Sequence, residues 1–472
     1  MTTVAVIGCT HAGTFAATSI LKNHPDWTVD VFEKNDTVSF LSCGIALWAG
    51  NHVSSTEKMF YSSPEELEKS GASMHMCHEV TDVDIKGKKL DATNLESGKS
   101  KQYRFDKLVV TTGSSPATPF IQGLREALQN GQAMLCKDFN DGKRIVERAK
   151  KAKSVIVVGA GYIGSELAEQ LSTRGIKVTL VDALPHVLDN NYDKTVTDQA
   201  EAAFRDHDVT LAMGQKVVAF RPETGSDGVE DSGITVVTEL GEYTADLAVM
   251  GAGFVPNTRL VSAQLRTLGY GAIIVDKYMR AATPENDVLD YVFAAGDCAT
   301  VHFNPTNSDE YRPLATNAIR EAMLIGENIE EPTKEYAGTQ ATSAVQLYDL
   351  SMSSSGMTLD LAQRRHMEAD AVTIQENYRP EFMLSTTPVT ATIVFDKQSS
   401  RILGAQFAAE HDISMAANLI SVAIQAGFTI DQLAATDMLF QPNFDQPVNY
   451  VSSLAMAAVA KRDQDAAKAE GK

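Results

Sequence analysis

Among the five cysteines of this 472-residue chain (Cys9, Cys43, Cys77, Cys136, Cys298) no two form a CxxC pair. Their scatter and odd number exclude a disulfide framework and a zinc site, and suit a reducing cytoplasm. Apolar runs as long as a membrane span are missing too. The N-terminal run beginning Val4-Ala5-Val6-Ile7-Gly8 has no basic leader and is broken by His11. It therefore reads as strand, turn and helix, not as a signal peptide. Positive charge is also scarce: 41 Lys and Arg face 61 Asp and Glu, a net charge of −20. That disfavours nucleic acid and anionic membrane as partners, and favours small ligands. The length fits two to four domains, each with its own core.

What is present begins with glycine. Residues 3–8 form a β-rich apolar run, followed by Gly8-Cys9-Thr10-His11-Ala12-Gly13 and a helical stretch to about Asn23. The second apolar strand, Thr28 to Phe32, ends on Glu33, 20 residues after Gly13. In a dinucleotide-binding βαβ unit the glycines permit the tight turn. The helix N-terminus faces the pyrophosphate, and the acid takes the ribose hydroxyls. Thr10 stands where the middle glycine is usual, so a plain strand-to-helix turn is the other reading, with His11 as a polar filler. A second unit is complete. The strand Val155 to Val158 leads into Gly159-Ala160-Gly161-Tyr162-Ile163-Gly164, and Val178 to Val181 ends on Asp182, 18 residues after Gly164. A carboxylate there accepts both ribose hydroxyls and repels a 2′-phosphate, which favours NADH over NADPH. Two such units imply two dinucleotides with electrons passing between them. No other internal repeat is visible.

Elsewhere the signals are local. Ser63-Pro64-Glu65-Glu66 caps a short helix. Glu79 to Val110 alternates like a small antiparallel ribbon that closes on a buried strand, Leu108 to Val110. Tyr291 to Ala294 is an apolar strand ending in Gly296-Asp297. From about Glu335, strands such as Ala391 to Phe395 and Ile402 to Phe407 precede a helical run from Ile413 to Ala426. That is a third, α+β domain, followed by a polar tail.

Ser39 to Trp48 holds Cys43, ten residues past Glu33, in small apolar company ahead of residues that can open a helix. A cysteine just before a helix meets positive dipole and free N–H groups, which favour thiolate. A buried structural cysteine is the competing reading.

Together these pieces resemble the flavin-dependent pyridine nucleotide-disulfide oxidoreductases. More narrowly they resemble the single-cysteine branch of NADH oxidases, NADH peroxidases and coenzyme A-disulfide reductases. The resemblance covers almost the full length. It is most specific at His11-Ala12-Gly13, Ser39 to Trp48, Gly159 to Gly164, Gly296-Asp297-Cys298-Ala299-Thr300 and Phe440-Gln441-Pro442-Asn443-Phe444. Cys43 to Trp48 and Gly296 to Thr300 look most like water-forming NADH oxidases. Disulfide reductases of the family carry a second cysteine five residues after the first. Here Trp48 stands there, so Cys43 works alone, as thiolate and sulfenic acid.

The resemblance implies an α/β fold of two Rossmann-like domains plus a C-terminal α+β dimerisation domain. The FAD domain takes residues 1–118 and 253–330, the NADH domain 119–252, the interface domain 331–460 and the tail 461–472. For FAD it implies Gly8, His11, Ala12 and Gly13 along the pyrophosphate, Glu33 on the ribose and Val80 near the adenine. Thr112, Gly113 and Ser114 close over the cofactor, Lys137 is a loose match, and Asp297 takes the ribitol chain. Leu314, Ala315 and Thr316 approach the flavin ring, beside Cys43. For NADH it implies Gly159, Gly161, Ile163, Gly164 and Asp182, with Tyr162 covering the flavin until NADH displaces it. Tyr192 and Gly253 line the groove, although Tyr192 equally reads as an ordinary half-exposed tyrosine. No metal is implied.

The implied reaction takes NADH and dioxygen to water. Cys43 reduces a peroxide and His11 holds that peroxide or the sulfenate, in a homodimer or tetramer. NADH peroxidase is the nearest alternative. Coenzyme A-disulfide reductase is disfavoured because Phe440 lacks a hydroxyl. A flavoprotein redox sensor belongs to a different class.

Overall fold

A computed structural model describes residues 1–222 and 233–469 of the protein. Its first sheet grows from the first apolar run. Thr3–Ile7 pairs in parallel with Thr28–Glu33 on one side and Lys107–Val110 on the other. Val4, Val6, Val29 and Val31 have no exposed surface, as expected of parallel strands covered on both faces. One cover is the helix His11–Asn23, against which Ala315–Asn328 packs. Val288–Ala294, from far later in the chain, adds itself beside Lys107–Val110. The finished sheet has six strands, in the order Arg280–Ala282, Val288–Ala294, Lys107–Val110, Thr3–Ile7, Thr28–Glu33, Ala72–Met76.

Between Val110 and Val288 the chain builds a second, five-stranded parallel sheet. Its order is Thr210–Ala212, Lys177–Val181, Ser154–Val158, Leu247–Met250, Ala133–Leu135. The register repeats that of the first sheet: Ser154 faces Lys177 as Thr3 faces Thr28. Each sheet carries a three-stranded antiparallel ribbon as an excursion, one at residues 78–104 and one formed by Val217–Pro222, Ile234–Thr238 and Glu242–Ala245.

The third body is a five-stranded antiparallel sheet of residues 343–409. Ser414–Gln425 and Tyr450–Ala469 cover it through Ile420, Ala423, Leu454 and Ala458. The last helix runs unbroken into the polar tail. Lys461 pairs with Asp370 and Arg462 with Asp431, so residues 461–469 form one element with the domain before them. Among the described residues no helix is long and apolar enough to cross a membrane.

Candidate active site

Two glycine turns do the same work at the carboxyl ends of Thr3–Ile7 and Ser154–Val158. Gly8 (φ +94°) and Gly159 (φ +108°) adopt backbone that L side chains avoid. A Cβ on Gly13 would lie 1.8 Å from the Gly8 carbonyl, and one on Gly164 would lie 1.7 Å from that of Gly159. Each turn is tied to its acid. Cys9 N–H donates to Glu33 at 2.7 Å, and Ala160 N–H donates to Asp182 at 2.5 Å. The middle position has no such demand, since a Cβ on Gly161 would meet nothing within 4 Å. Thr10, the counterpart of Gly161 in the first turn, is exposed.

One cleft of about 1210 Å³ joins the two units. His11, Cys43, Lys137, Asp297, Leu314 and Ala315 line one part of it, and Gly159, Gly161, Tyr162, Ile163, Asp182 and Gly253 another. Open space over Gly161 and over Gly113 (φ +64°), facing helix starts without side-chain caps at Thr10 and Gly161, fits a pyrophosphate in each cradle. Lys137, a loose match by sequence, reaches Asp297 at 3.0 Å and Ser114 at 2.9 Å, and its ammonium lies 4.0 Å from the centre of the Phe254 ring. Ser114 also donates to Asp297 at 2.7 Å. The Thr112 hydroxyl donates to the Asn257 carbonyl. Glu33 is buried beneath the first turn and burial raises its carboxyl. Val80 is half-buried on the antiparallel ribbon, and Thr316 stands in the first turn of its helix. Ala12 and Gly13 are buried under the Gly8 turn.

Cys43 is a free, exposed thiol in the short turn Ser42–Gly44 ahead of the helix Ile45–Ala49. The expected bias to thiolate is not what the site provides. Burial in the cleft first, then the Glu166 carboxylate, raise the thiol above its ordinary value, and the N–H groups of Cys43 and Gly44 only partly oppose them. A five-residue helix offers little dipole to offset that. Trp48, at the place of a second cysteine, stacks on Phe139 at 5.5 Å.

His11 opens the first helix, and burial lowers its imidazole below the ordinary value against the pull of Asp297. Its Nδ1 lies 2.7 Å from Tyr61 Oη, which leaves Nε2 as the second nitrogen for a ligand. The Cys43 loop holds Tyr61 in place: Ser39 Oγ donates to the Ser62 carbonyl at 2.6 Å, and Phe40 bridges Phe60.

Two residues escape the sequence reading. Tyr61 carries no motif signal. Glu166, one turn beyond Tyr162, lines the cleft, and burial with Glu169 nearby pushes its carboxyl to about 7. Its spacing of four from Tyr162 was a usable clue, since i and i+4 share a helix face. Tyr192 corrects the expectation in the other direction. It is almost wholly buried behind Tyr162, their hydroxyls 3.4 Å apart, and does not line the groove. Tyr162 Oη is also bonded to Ser343 Oγ at 2.6 Å.

Two glycine cradles at the ends of parallel strands in separate sheets, one shared cleft and the exposed Cys43 thiol facing it define a two-dinucleotide oxidoreductase. The chain belongs to the pyridine nucleotide-disulphide oxidoreductases: residues 2–322 match that family and residues 342–450 its dimerisation domain. It is 42% identical over 456 residues to an NADH oxidase of Enterococcus faecalis, covering 97% of this chain and 99% of that protein. An NADH oxidase of Streptococcus pyogenes is 37% identical, covering 97% and 100%. Among solved structures, a water-forming NADH oxidase from Lactobacillus brevis bound to NADH superposes with a TM-score of 0.94 at 45% identity, over 99% of this chain and 100% of that one. A Bacillus anthracis CoADR-RHD structure superposes at 0.90 with 23% identity, which shows the shared fold.

Proposed function

We propose that the chain is an FAD-dependent NADH oxidase that carries dioxygen to water, with Cys43 taking the second electron pair. The observation that carries this reading is the single cleft in which the Gly159–Asp182 cradle opens onto Cys43 and His11. The similarity to NADH oxidases, one of them water-forming, agrees with it.

The cofactors are FAD and NADH. The Gly8 turn, Glu33, Ser114 and the Lys137–Asp297 pair would hold FAD, which when bound would supply two-electron transfer between NADH and dioxygen. Asp182 takes the adenosine ribose of NADH, and its charge repels the extra phosphate of NADPH. Tyr162 lies across the cleft, tied through one strong bond to Ser343, and NADH entry displaces it.

Hydrogen peroxide formed in the cleft meets the Cys43 sulfur. The O–O bond breaks, an S–O bond forms, and one water leaves as the thiol becomes a sulfenic acid. His11 presents a ring nitrogen to the peroxide or the sulfenate. Glu166, at about 7, holds or yields a proton at neutral pH. Two electrons and two protons from a second NADH and solvent return the sulfenic acid to thiol and release the second water.

A homodimer agrees with the dimerisation domain and with the exposed Phe382, Leu384, Leu439, Phe440 and Phe444 on the C-terminal body. A monomer by light scattering would remove that part of the reading.

Oxygen-electrode stoichiometry tests the whole. The expected result is two NADH per dioxygen, unchanged by catalase. One NADH per dioxygen, with oxygen returned by catalase, marks a peroxide-forming enzyme. NADH oxidation that needs added peroxide and consumes no oxygen marks a peroxidase.

A further inference from the structure

The third body reaches into the cleft between the first two. Ala341, Ser343 and Ala344, at the start of its strand Ser343–Leu347, line that cleft together with Tyr162. Ser343 begins a polar row that crosses three strands: it stands opposite Ser354, and Ser354 stands opposite Gln406. Residues paired in this way share one face of a sheet. Met352 and Ala408, two residues along from that row, lie on the same face. They pack with Tyr192, Val196 and Phe204 of the Gly159–Asp182 unit, so this face is the one docked on that unit.

Asp193 clasps the row. It precedes the helix Lys194–Asp206, yet its carboxylate does not cap that helix. Instead it accepts Gln406 Nε2 at 2.6 Å and the N–H groups of Leu359 and Asp360 at 3.0 and 3.2 Å, while its own N–H donates to Gln406 Oε1 at 2.6 Å. Gln406 is buried, and bonds to a carboxylate are the strong ones, so the two bodies have little freedom to slide. The clasp fixes Ser343 against Tyr162. Tyr162 Oη lies 2.6 Å from Ser343 Oγ. Tyr192 Oη stands farther off, at 3.4 Å, longer than the about 3.0 Å of a good O–H···O bond. The firm hold on Tyr162 therefore comes from the third body.

We propose that Ser343 is a positioning residue that latches Tyr162 across the cleft, so that the third body sets the cost of admitting nicotinamide. This rests on the reading of Tyr162 as the group that NADH displaces. Moving Tyr162 aside breaks the bond to Ser343, whereas the adenosine end of the nucleotide enters without that step. The latch lowers affinity for ligands that carry nicotinamide and spares those that lack it.

The test uses the FAD-loaded enzyme and two probes, NAD+ and ADP-ribose, the second without nicotinamide. By calorimetry, Ser343→Ala binds NAD+ about fivefold tighter, the scale of one hydrogen bond between neutral groups, and binds ADP-ribose as wild type does. Ser343→Thr keeps the hydroxyl and returns NAD+ affinity to the wild-type value. In a Tyr162→Phe background, which lacks the phenol hydroxyl, Ser343→Ala adds no further tightening. No change in either probe overturns the latch, as does equal tightening of both or tightening that persists in full beside Tyr162→Phe. Weaker NAD+ binding in Ser343→Ala overturns it as well, because the bond then belongs to the displaced side chain. Tyr162→Ala is read separately. If it tightens NAD+ relative to ADP-ribose while Ser343→Ala does nothing, Tyr162 still covers the cleft and only the latch fails. If it leaves the ratio of the two affinities unchanged, the covering reading fails and takes the latch with it.

Discussion

Lys137 Nζ lies 3.0 Å from Asp297 Oδ2, and the two residues belong to different sheets. Lys137 follows Ala133–Leu135, the edge of the second sheet, and Asp297 follows Val288–Ala294 in the first. The bond fastens one nucleotide unit to the other across the cleft they share. Both side chains are about one-fifth to one-quarter exposed (25% and 19%), so solvent screens the pair only in part. Replacing the lysine leaves Asp297 with Ser114 as its remaining donor. Lys137→Met should therefore fold but release FAD more readily, roughly tenfold weaker by flavin fluorescence. Retention equal to wild type would mean that the pair only spaces the sheets.

Water formation needs four electrons per dioxygen, and NADH delivers two. Cys43 is the exposed thiol in the cleft, and serine has nearly its size but forms no stable sulfenic acid. Cys43→Ser should keep FAD, still oxidise NADH in air, and release about one hydrogen peroxide per NADH. Peroxidase-coupled dye formation checks the product. Water from the mutant returns Cys43 to a structural role.

The Asp182 carboxylate accepts N–H groups from Ala160 and Leu184, so it is held facing the cradle. Removing its charge should cost NADH affinity and lessen the penalty on a 2′-phosphate. Asp182→Ala is expected to raise KM for NADH and improve the ratio of NADPH to NADH efficiency. Equal use of both cofactors by the wild type would show that this acid does not set specificity.

Glu166 acts on the thiol through its charge. As pH rises through about 7 it ionises, and the new negative charge disfavours a thiolate at Cys43. Glu166→Gln removes that charge while keeping the volume. Alkylation of Cys43 followed against pH should then show its midpoint at lower pH than in wild type. An unmoved midpoint would mean that burial alone sets the thiol.

Glu321 offers a stability test away from the reacting groups. Its side chain is fully buried, one oxygen accepts Gly296 N–H at 2.8 Å, and Oε1 has no partner among the described residues. Burial pushes the carboxyl from 4.5 to about 8, Gly296 N–H and Arg320 oppose this, and Asp297 adds to it. Below 4.5 both folded and unfolded chains carry the proton. Between 4.5 and about 8 only the folded chain does, so stability falls as pH rises, by up to about 1.4 kcal/mol per pH unit. Glu321→Gln cannot ionise and escapes that loss. Its melting temperature should gain on wild type from about pH 5 to about pH 8, whereas a constant gap would show that the native carboxyl is already charged.

Both βαβ units were legible because their constraints are local. Gly8, Gly13, Gly159 and Gly164 occupy positions where a Cβ collides with backbone a few residues away or on the next strand, and Glu33 and Asp182 end the strands that follow. The thiolate tendency expected of Cys43 rests on the helix ahead, whereas enclosure by the cleft first, and the Glu166 charge second, raise the thiol.

The sequence by itself determined two dinucleotide cradles, a lone cysteine between them and a third domain that differs in kind. Strand alternation, tight turns and the acid at a strand end are properties of short segments, and they survive translation from text to fold. Only the tertiary structure decided which distant groups meet. It set Tyr61 against His11, Glu166 within reach of the Cys43 thiol, Lys137 on Asp297 and Tyr192 in the core instead of the groove. Such pairings follow from how sheets and helices far apart in the chain pack, and burial, which that packing creates, sets the charge of each group. No spacing rule carries that information.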